Sequence, residues 1–291
     1  MTTVIALIGL GTMGAAIGAR LVRGGATVIS PLQGRSAASL ARARQAGVLD
    51  AADDALARAD YLLSIVPPAE AQAVARRWAA AFERAPRPPV YADCNAVSME
   101  TSARIGEWFR DAGVRYLDGA IIGAPGRPER PGPALYLSGE RPQDVAVFVR
   151  HGLRARSTGG PAGAASALKM AYAGFNKGLT ALAAAMVLAA HRAGASDALL
   201  TELGESQPQL LAHIAHTLPD MYGKAWRWDF EMRQVAQFAG GDEELARLYD
   251  AMADFYARLG RDWAGPREAA RRIDAFLRRD GMGPDPDGGT P

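Results

Sequence analysis

Lys169, Tyr172 and Asn176 stand at i, i+3 and i+7 within SALKMAYAGFNKG, residues 166–178. An ammonium, a phenol and a carboxamide can each offer a proton to a reacting oxygen, and on a helix this spacing puts all three on one face. The surrounding run, from Gly159 to about Ala190, otherwise holds alanines, aliphatics, glycines and a few small polar residues. A polar stripe on so apolar a helix reads as the wall of a pocket; taken alone, it reads equally as a surface seam. The chain before it decides between the two.

That chain opens with a cofactor signal. Gly9, Leu10, Gly11, Thr12, Met13 and Gly14 follow a strand-like run and begin a helix-like one, the setting that the GxGxxG pattern requires. Gly9 permits a tight turn, Gly11 lets backbone approach a pyrophosphate, Gly14 allows close helix–sheet packing, and the helix N-terminus supplies positive potential. An acidic residue about 20 positions on would bind a ribose 2′-hydroxyl. Here the loop reads Ile29-Ser30-Pro31-Leu32-Gln33-Gly34-Arg35-Ser36, with no carboxylate before Asp50. An arginine among hydroxyls suits a 2′-phosphate, so NADP is expected over NAD, with Arg35 as charge partner and Ser30 and Ser36 as hydrogen-bonding groups. The plainer reading of Arg35 is a solvated loop side chain. Val66 and Pro67 end the third expected strand and Asn95 the fourth, so both should border the nicotinamide. Cys94 reads as a small packed side chain.

The elements that position these residues follow from the pattern. Up to about residue 160, the strand-like runs TVIALIG, ATVIS, YLLSIVP, VYADCN, VRYLDGA and ALYLSGE alternate with segments of helical periodicity. This is the order of an α/β, doubly wound parallel sheet of Rossmann type, placed at 1–160. Beyond it the strand-like runs stop, and an all-helical domain is expected over 161–280. Its first helix should run from about Ala165 to Ala193, too long and apolar to be covered by the rest of one chain, so a homodimer through this domain is expected. Residues 281–291, rich in Gly, Pro and Asp, read as a disordered tail.

Composition excludes several classes of function. The 291 residues are 49% hydrophobic and carry 33 basic against 31 acidic side chains, without a basic block, so nucleic acid is not an expected partner. One cysteine excludes an intrachain disulfide and suits a cytoplasmic protein. The apolar run at 179–190 is short for a membrane crossing, and none is expected. His213 and His216 lack further ligands at metal spacing, so no metal is expected.

The stretches ALIGLGTMGAAIGARLVRGG, DCNAVSMETS, LDGAIIGAPG and GGPAGAASALKMAYAGFNKG resemble the β-hydroxyacid dehydrogenase superfamily, the group of 3-hydroxyisobutyrate and 6-phosphogluconate dehydrogenases. With GRSAASLARARQAGV and WDFEMRQVAQF, the chain is most similar to an uncharacterised branch with a phosphogluconate-dehydrogenase-like C-terminal domain. The resemblance implies a Rossmann domain with a helical, dimerising domain. It also makes Lys169 the general acid/base that exchanges a proton with a carbonyl or hydroxyl oxygen during hydride transfer. A lysine suits that task where a low-dielectric pocket disfavours the ammonium, and the alanine-rich surroundings offer one; a lysine that snorkels to the surface or pairs with a carboxylate is the structural alternative.

Three departures qualify the resemblance. Ala173 stands where relatives usually have an asparagine one turn after the lysine, which leaves Tyr172 or Asn176 to supply that hydrogen bond. The usual Asp-Ala-Pro-Val-Ser-Gly-Gly segment reads Asp118-Gly119-Ala120-Ile121-Ile122-Gly123-Ala124, with Ile122 in place of the serine that grips a carboxylate. The later lysine–aspartate motif is replaced by an aromatic, acidic segment, so Trp226, Trp228 and Glu231 are expected near the pocket, although the aromatics serve equally as core. Ser98 is expected beside nicotinamide or substrate together with Asn95, and Ile122 and Gly123 beside the substrate.

The implied function is NADP-dependent hydride transfer to or from a carbonyl or hydroxyl carbon of a small, rather apolar substrate. Two alternatives stand beside it. One is an imine reductase, a related fold in which aspartate or tyrosine is usual where Lys169 stands; the other is an NADPH-binding sensor without turnover.

Overall fold

The first strand, β1 (Val4–Ile8), is apolar on both faces: Ile5 and Leu7 join one buried cluster, Ala6 and Ile8 another. A strand with two buried faces belongs inside a sheet covered on both sides by helices. The computed structural model, which describes residues 2–125 and 132–278, has that arrangement over its first unit, Met1–Lys169. After β1 come α1 (Thr12–Arg23), β2 (Thr27–Ser30), α2 (Ala37–Ala46), β3 (Leu49–Asp50), α3 (Asp53–Leu56), β4 (Tyr61–Ser64) and α4 (Pro68–Phe82). They continue as β5 (Val90–Asp93), α5 (Met99–Asp111), β6 (Tyr116–Ile122), β7 (Ala134–Ser138), α6 (Pro142–Arg150) and β8 (Arg154–Ser157).

The strands form one sheet in the order β3-β2-β1-β4-β5-β6-β7-β8. Its first six positions follow the dinucleotide-binding order, with the switch point at β1/β4. Every pairing is parallel except β6 with β7. The sequence reading assigned parallel strands throughout this region. Only residues 123–133 separate β6 from β7, shorter than the dozen or so that a parallel crossover needs, so the chain turns back on itself.

Two further strands escape a reading by periodicity. β3 has two residues, both exposed, and β8 is Arg-Ala-Arg-Ser with only Ala155 buried. Neither carries an apolar run; β3 is held by its register with β2, Ile29 opposite Leu49 and Ser30 opposite Asp50, and β8 forms a charged sheet edge.

The second unit, Met170–Pro291, is helical in its described part, and its boundary with the first falls between Lys169 and Met170, inside α7 (Ala164–Arg192). There follow α8 (Ser196–Ser206), α9 (Pro208–Met221), a 3₁₀ turn (Tyr222–Lys224), α10 (Ala225–Phe238), α11 (Glu243–Ala264) and α12 (Glu268–Arg278). Its core gathers Leu218, Met221, Met232, Tyr256, Ile273 and Phe276. Gly174 and Gly178 of α7 admit the Tyr249 ring: a Cβ at Gly174 would lie 3.0 Å from its hydroxyl. Read as a helix rather than as an unbroken apolar run, α7 has the length and composition of a membrane crossing, with 39% of the qualifying window buried inside the protein. The expected tail at 281–291 lies outside the described residues.

Candidate active site

The glycine loop shows what each glycine does. Gly9 has φ +96°, and a Cβ there would stand 2.1 Å from the Ile65 carbonyl oxygen at the end of β4. A Cβ on Gly14 would reach the Gly9 carbonyl at 1.9 Å, so the turn closes only with hydrogen at both places. Gly11 differs: no described atom lies within 4 Å of its would-be Cβ, and as N-cap of α1 it gives the helix no side-chain cap. Open space over uncapped amides at a helix N-terminus fits a pyrophosphate. Leu10, Thr12 and Met13 complete the loop, and Arg42 of α2 clasps it by donating from Nε to the Leu10 carbonyl at 2.8 Å. Arg42 is one of two arginines in LARARQ, and nothing in the sequence singles it out.

Beyond β2, Ser30 is buried, and Ser36 caps α2 by accepting from the Ser39 amide. Arg35 Nε donates to the Pro31 carbonyl at 3.4 Å. The register of β3 also brings a carboxylate to this loop, which linear spacing from the glycines did not anticipate: Asp50 Oδ1 accepts from the Leu32 amide at 2.9 Å.

The ends of β4 and β5 are joined by Asn95. Its Oδ1 accepts from the Val66 amide at 2.6 Å, its Nδ2 donates to Ser64 Oγ at 3.0 Å, and its own amide donates to Asp93 Oδ1 at 2.9 Å. Pro67 is the N-cap of α4, with Pro68 in the first turn, where a missing N–H costs nothing. Ser98 caps α5 by accepting from the Thr101 amide at 3.2 Å. Ile122 is half-buried at the end of β6, and Gly123 takes the left-handed φ of +115°.

Asp118 is the hub beneath these strand ends. It is 0% exposed and accepts from Ser102 Oγ (2.9 Å), Ser138 Oγ (2.8 Å), Ser166 Oγ (2.6 Å) and the amides of Gly163 (3.1 Å) and Ser166 (2.9 Å). Five donors on two oxygens are the partners of a carboxylate. Through Gly163 and Ser166 this carboxylate pins the first turn of α7, on which Lys169 follows. The sequence pattern marks Asp118 only as the start of the LDGAIIGAPG segment; three serines from three other elements converge on it only once folded. Asp93, its register partner on β5, is also buried, and desolvation with the nearby Asp118 charge pushes its carboxyl up to about 7, against the pull of the Asn95 hydrogen bond and Lys169. Burial, then Asp93 and Asp118, push the Cys94 thiol up, which makes it inert. Its Sγ fills the space that a Cβ on Gly119 would need, 2.8 Å away.

The remaining expected residues lie in the second unit. Tyr172 is exposed on α7, and Asn176 Nδ2 donates to the Tyr172 carbonyl of its own helix at 2.8 Å. Trp228 is buried and meets Tyr256 edge-on at 5.3 Å, the core role that its residue type also allowed. Glu231 is ion-paired with Lys177, whose ammonium lies 5.6 Å over the Trp228 ring. Trp226 is 68% exposed.

Comparison with known proteins agrees with this architecture. Residues 4–144 match the NAD-binding domain of 6-phosphogluconate dehydrogenase, and residues 190–259 match a domain of unknown function, DUF1932. An uncharacterized 28.5 kDa protein from Methanothermus fervidus is 27% identical over 178 residues, 60% of this chain and 66% of that protein, so the match spans just under two thirds of the relative. Among solved structures, the conserved protein MTH1747, described as similar to 3-hydroxyacid dehydrogenases, is 27% identical with a TM-score of 0.73, covering 88% of this chain and 98% of its own. The 3-hydroxyisobutyrate dehydrogenase of Mycobacterium tuberculosis, solved with L-serine, shares the fold at 21% identity, TM-score 0.73 and coverages of 91% and 96%. An imine reductase variant from Myxococcus stipitatus, solved with NAD+, shares it at 21% identity, TM-score 0.58 and coverages of 96% and 99%.

Proposed function

We propose that this chain, whose residues 4–144 match the NAD-binding domain of 6-phosphogluconate dehydrogenase, is an NADP-dependent oxidoreductase acting on a carbonyl or hydroxyl carbon of a small, rather apolar substrate, with Lys169 as the proton donor or acceptor. One observation carries this reading: the cofactor loop, the ends of β4 and β5 and the turn that leads to the lysine are linked in sequence. Gly9 packs on Ile65, Val66 is bonded to Asn95, Asn95 to Asp93, and Asp93 feels the charge of Lys169, while Asp118 fixes the turn before it.

When bound, the nicotinamide supplies or accepts the hydride. The amides of the Gly11 turn would hold the pyrophosphate, and Asn95, bonded on three sides, would offer the nicotinamide a rigid neighbour. Lys169 gives its ammonium proton to the carbonyl oxygen in reduction, or takes the hydroxyl proton in oxidation. Ile122 at the end of β6 favours an apolar substituent over a second carboxylate. Arg35 and Ser36 favour the 2′-phosphate of NADP: the terminal guanidinium nitrogens of Arg35 make no hydrogen bond among the described residues, and one oxygen of Asp50 is taken by the Leu32 amide. A second copy of the chain is the expected cover for Tyr172, Phe175, Leu182 and Met186, exposed at heptad-like spacing along α7, with Phe175 72% exposed; a monomer in sedimentation experiments would overturn that part. The lone, buried Cys94 suits a reducing, cytoplasmic setting.

The test is absorbance at the NADPH band against a panel of aldehydes, ketones, hydroxy acids and imines, with NADH in parallel. On the substrate so found, Lys169→Ala is expected to keep NADPH affinity and lose turnover by about 10²–10⁴-fold. Full activity in that variant would remove the lysine from the chemistry, preference for imines would move the reaction to C=N, and preference for NADH would remove Arg35 from cofactor choice.

A further inference from the structure

Asp93 is a buried carboxyl with no task in the reaction as described. One oxygen accepts from the Asn95 amide; the other is buried and has no hydrogen-bond partner among the described residues. A half-satisfied carboxyl costs stability in a protein interior, and one kept there calls for a reason. It stands at the end of a central strand, opposite Asp118, the carboxylate that holds Ser166 one turn before Lys169, and it feels the charge of that lysine. The groups that face it are Asp118 and Tyr116 from β6, Tyr91 and Cys94 from its own strand and the segment that follows, and Lys169 from α7. Of these, only Lys169 carries positive charge.

We propose that Asp93 is a positioning residue for proton transfer, a buried carboxyl whose ionisation sets how firmly Lys169 holds its proton. The inference rests on the reading of Lys169 as the acid/base. Ionised, Asp93 favours the ammonium that Lys169 becomes on accepting a proton from a substrate hydroxyl. Protonated, it withdraws that support and leaves the lysine readier to give its proton to a carbonyl oxygen. No proton passes through Asp93; its charge alone acts, through an interior that screens it less than water does. Burial and the repulsion of Asp118 make the switch accessible near neutral pH, where an exposed aspartate would stay charged throughout.

The sequence offers a clean readout, because only Lys169, Lys177 and Lys224 are lysines among its 33 basic residues. Full-length protein labelled with 13C at lysine Cε gives three resonances, assigned by Lys169→Arg, Lys177→Arg and Lys224→Arg, and followed against pH with and without NADP+. Wild type should show an inflection near pH 7 in the Lys169 resonance alone, reporting Asp93, besides the titration of the ammonium itself. In Asp93→Asn the inflection should vanish and the lysine's own midpoint should fall by about one pH unit. A wild-type Lys169 resonance without an inflection between pH 5 and 9 overturns the proposal, whether or not the variant folds. So does an unchanged Lys169 curve in a folded Asp93→Asn protein. If the coupling is found but Lys169→Ala retains turnover, the assignment of Lys169 falls and the electrostatic link stands; if turnover is lost but no coupling is found, only the role of Asp93 falls.

Discussion

Asp93 and Asp118 sit opposite each other on neighbouring parallel strands, both closed off from solvent, and their surroundings differ in one respect. Asp118 receives five hydrogen bonds from β7, α5 and the entry to α7; Asp93 receives one, from the backbone two residues on. Bonded on every side, the first ties elements together. Its half-bonded partner is a charge that can come and go. The same residue type serves architecture in one place and a titrating role in the other, and the number of donors supplied decides which.

The comparison is broken most severely at the hub. Asp118→Ala strands the hydroxyls of Ser138 and Ser166 with two amides and leaves Ser102 only Tyr116, and unfolding by urea should show a loss of about 3 kcal/mol or more. A loss below about 1 kcal/mol would mean that the hub is not the tie described.

Asp93 should act through pH rather than through a fixed loss. Its folded-state pKa is raised, so the native state holds a proton that the unfolded chain has released. The stabilisation from this group is full below the ordinary aspartate range near 4 and is lost as pH rises through about 7. Over that window wild type should lose up to about 1 kcal/mol per pH unit more than Asp93→Asn, and curves of equal slope would contradict the raised value.

The smallest effect belongs to the edge of the hub. Ser166→Ala removes one of the five donors and leaves the Ser166 amide in place, so a loss of about 1 kcal/mol is expected in the same melts. A loss as large as that of Asp118→Ala would show that the entry to α7 depends on this hydroxyl alone.

Much of this arrangement is legible without coordinates, because some physical signals are local. GLGTMG between a strand-like and a helix-like run specifies its own turn: Gly9 and Gly14 meet backbone where any Cβ would collide. β1 announces a doubly covered sheet by having no polar face, whereas Ser36 and Ser98, expected as ligand-binding groups, are the N-caps of α2 and α5. The resemblance drew attention to Lys169 and to the segment after Asp118 because motif spacing survives where overall identity is low.

What only the tertiary structure decided is convergence across distance in the chain. β3 brings Asp50 to the loop after β2, although its two residues carry no strand signal. Three serines from α5, β7 and α7 become partners of Asp118, and no local pattern distinguishes them from serines in solvent. Cys94 and Gly119 share one volume across adjacent strands, so the room for a side chain at 119 is set by a residue 25 positions earlier. Sequence determines what a segment does with its own backbone, through turns, caps and the period of its apolar residues. Which buried polar groups meet, and which are left half-bonded, is set by strand order and register, and for Asp93 and Asp118 that meeting separates a tie from a switch.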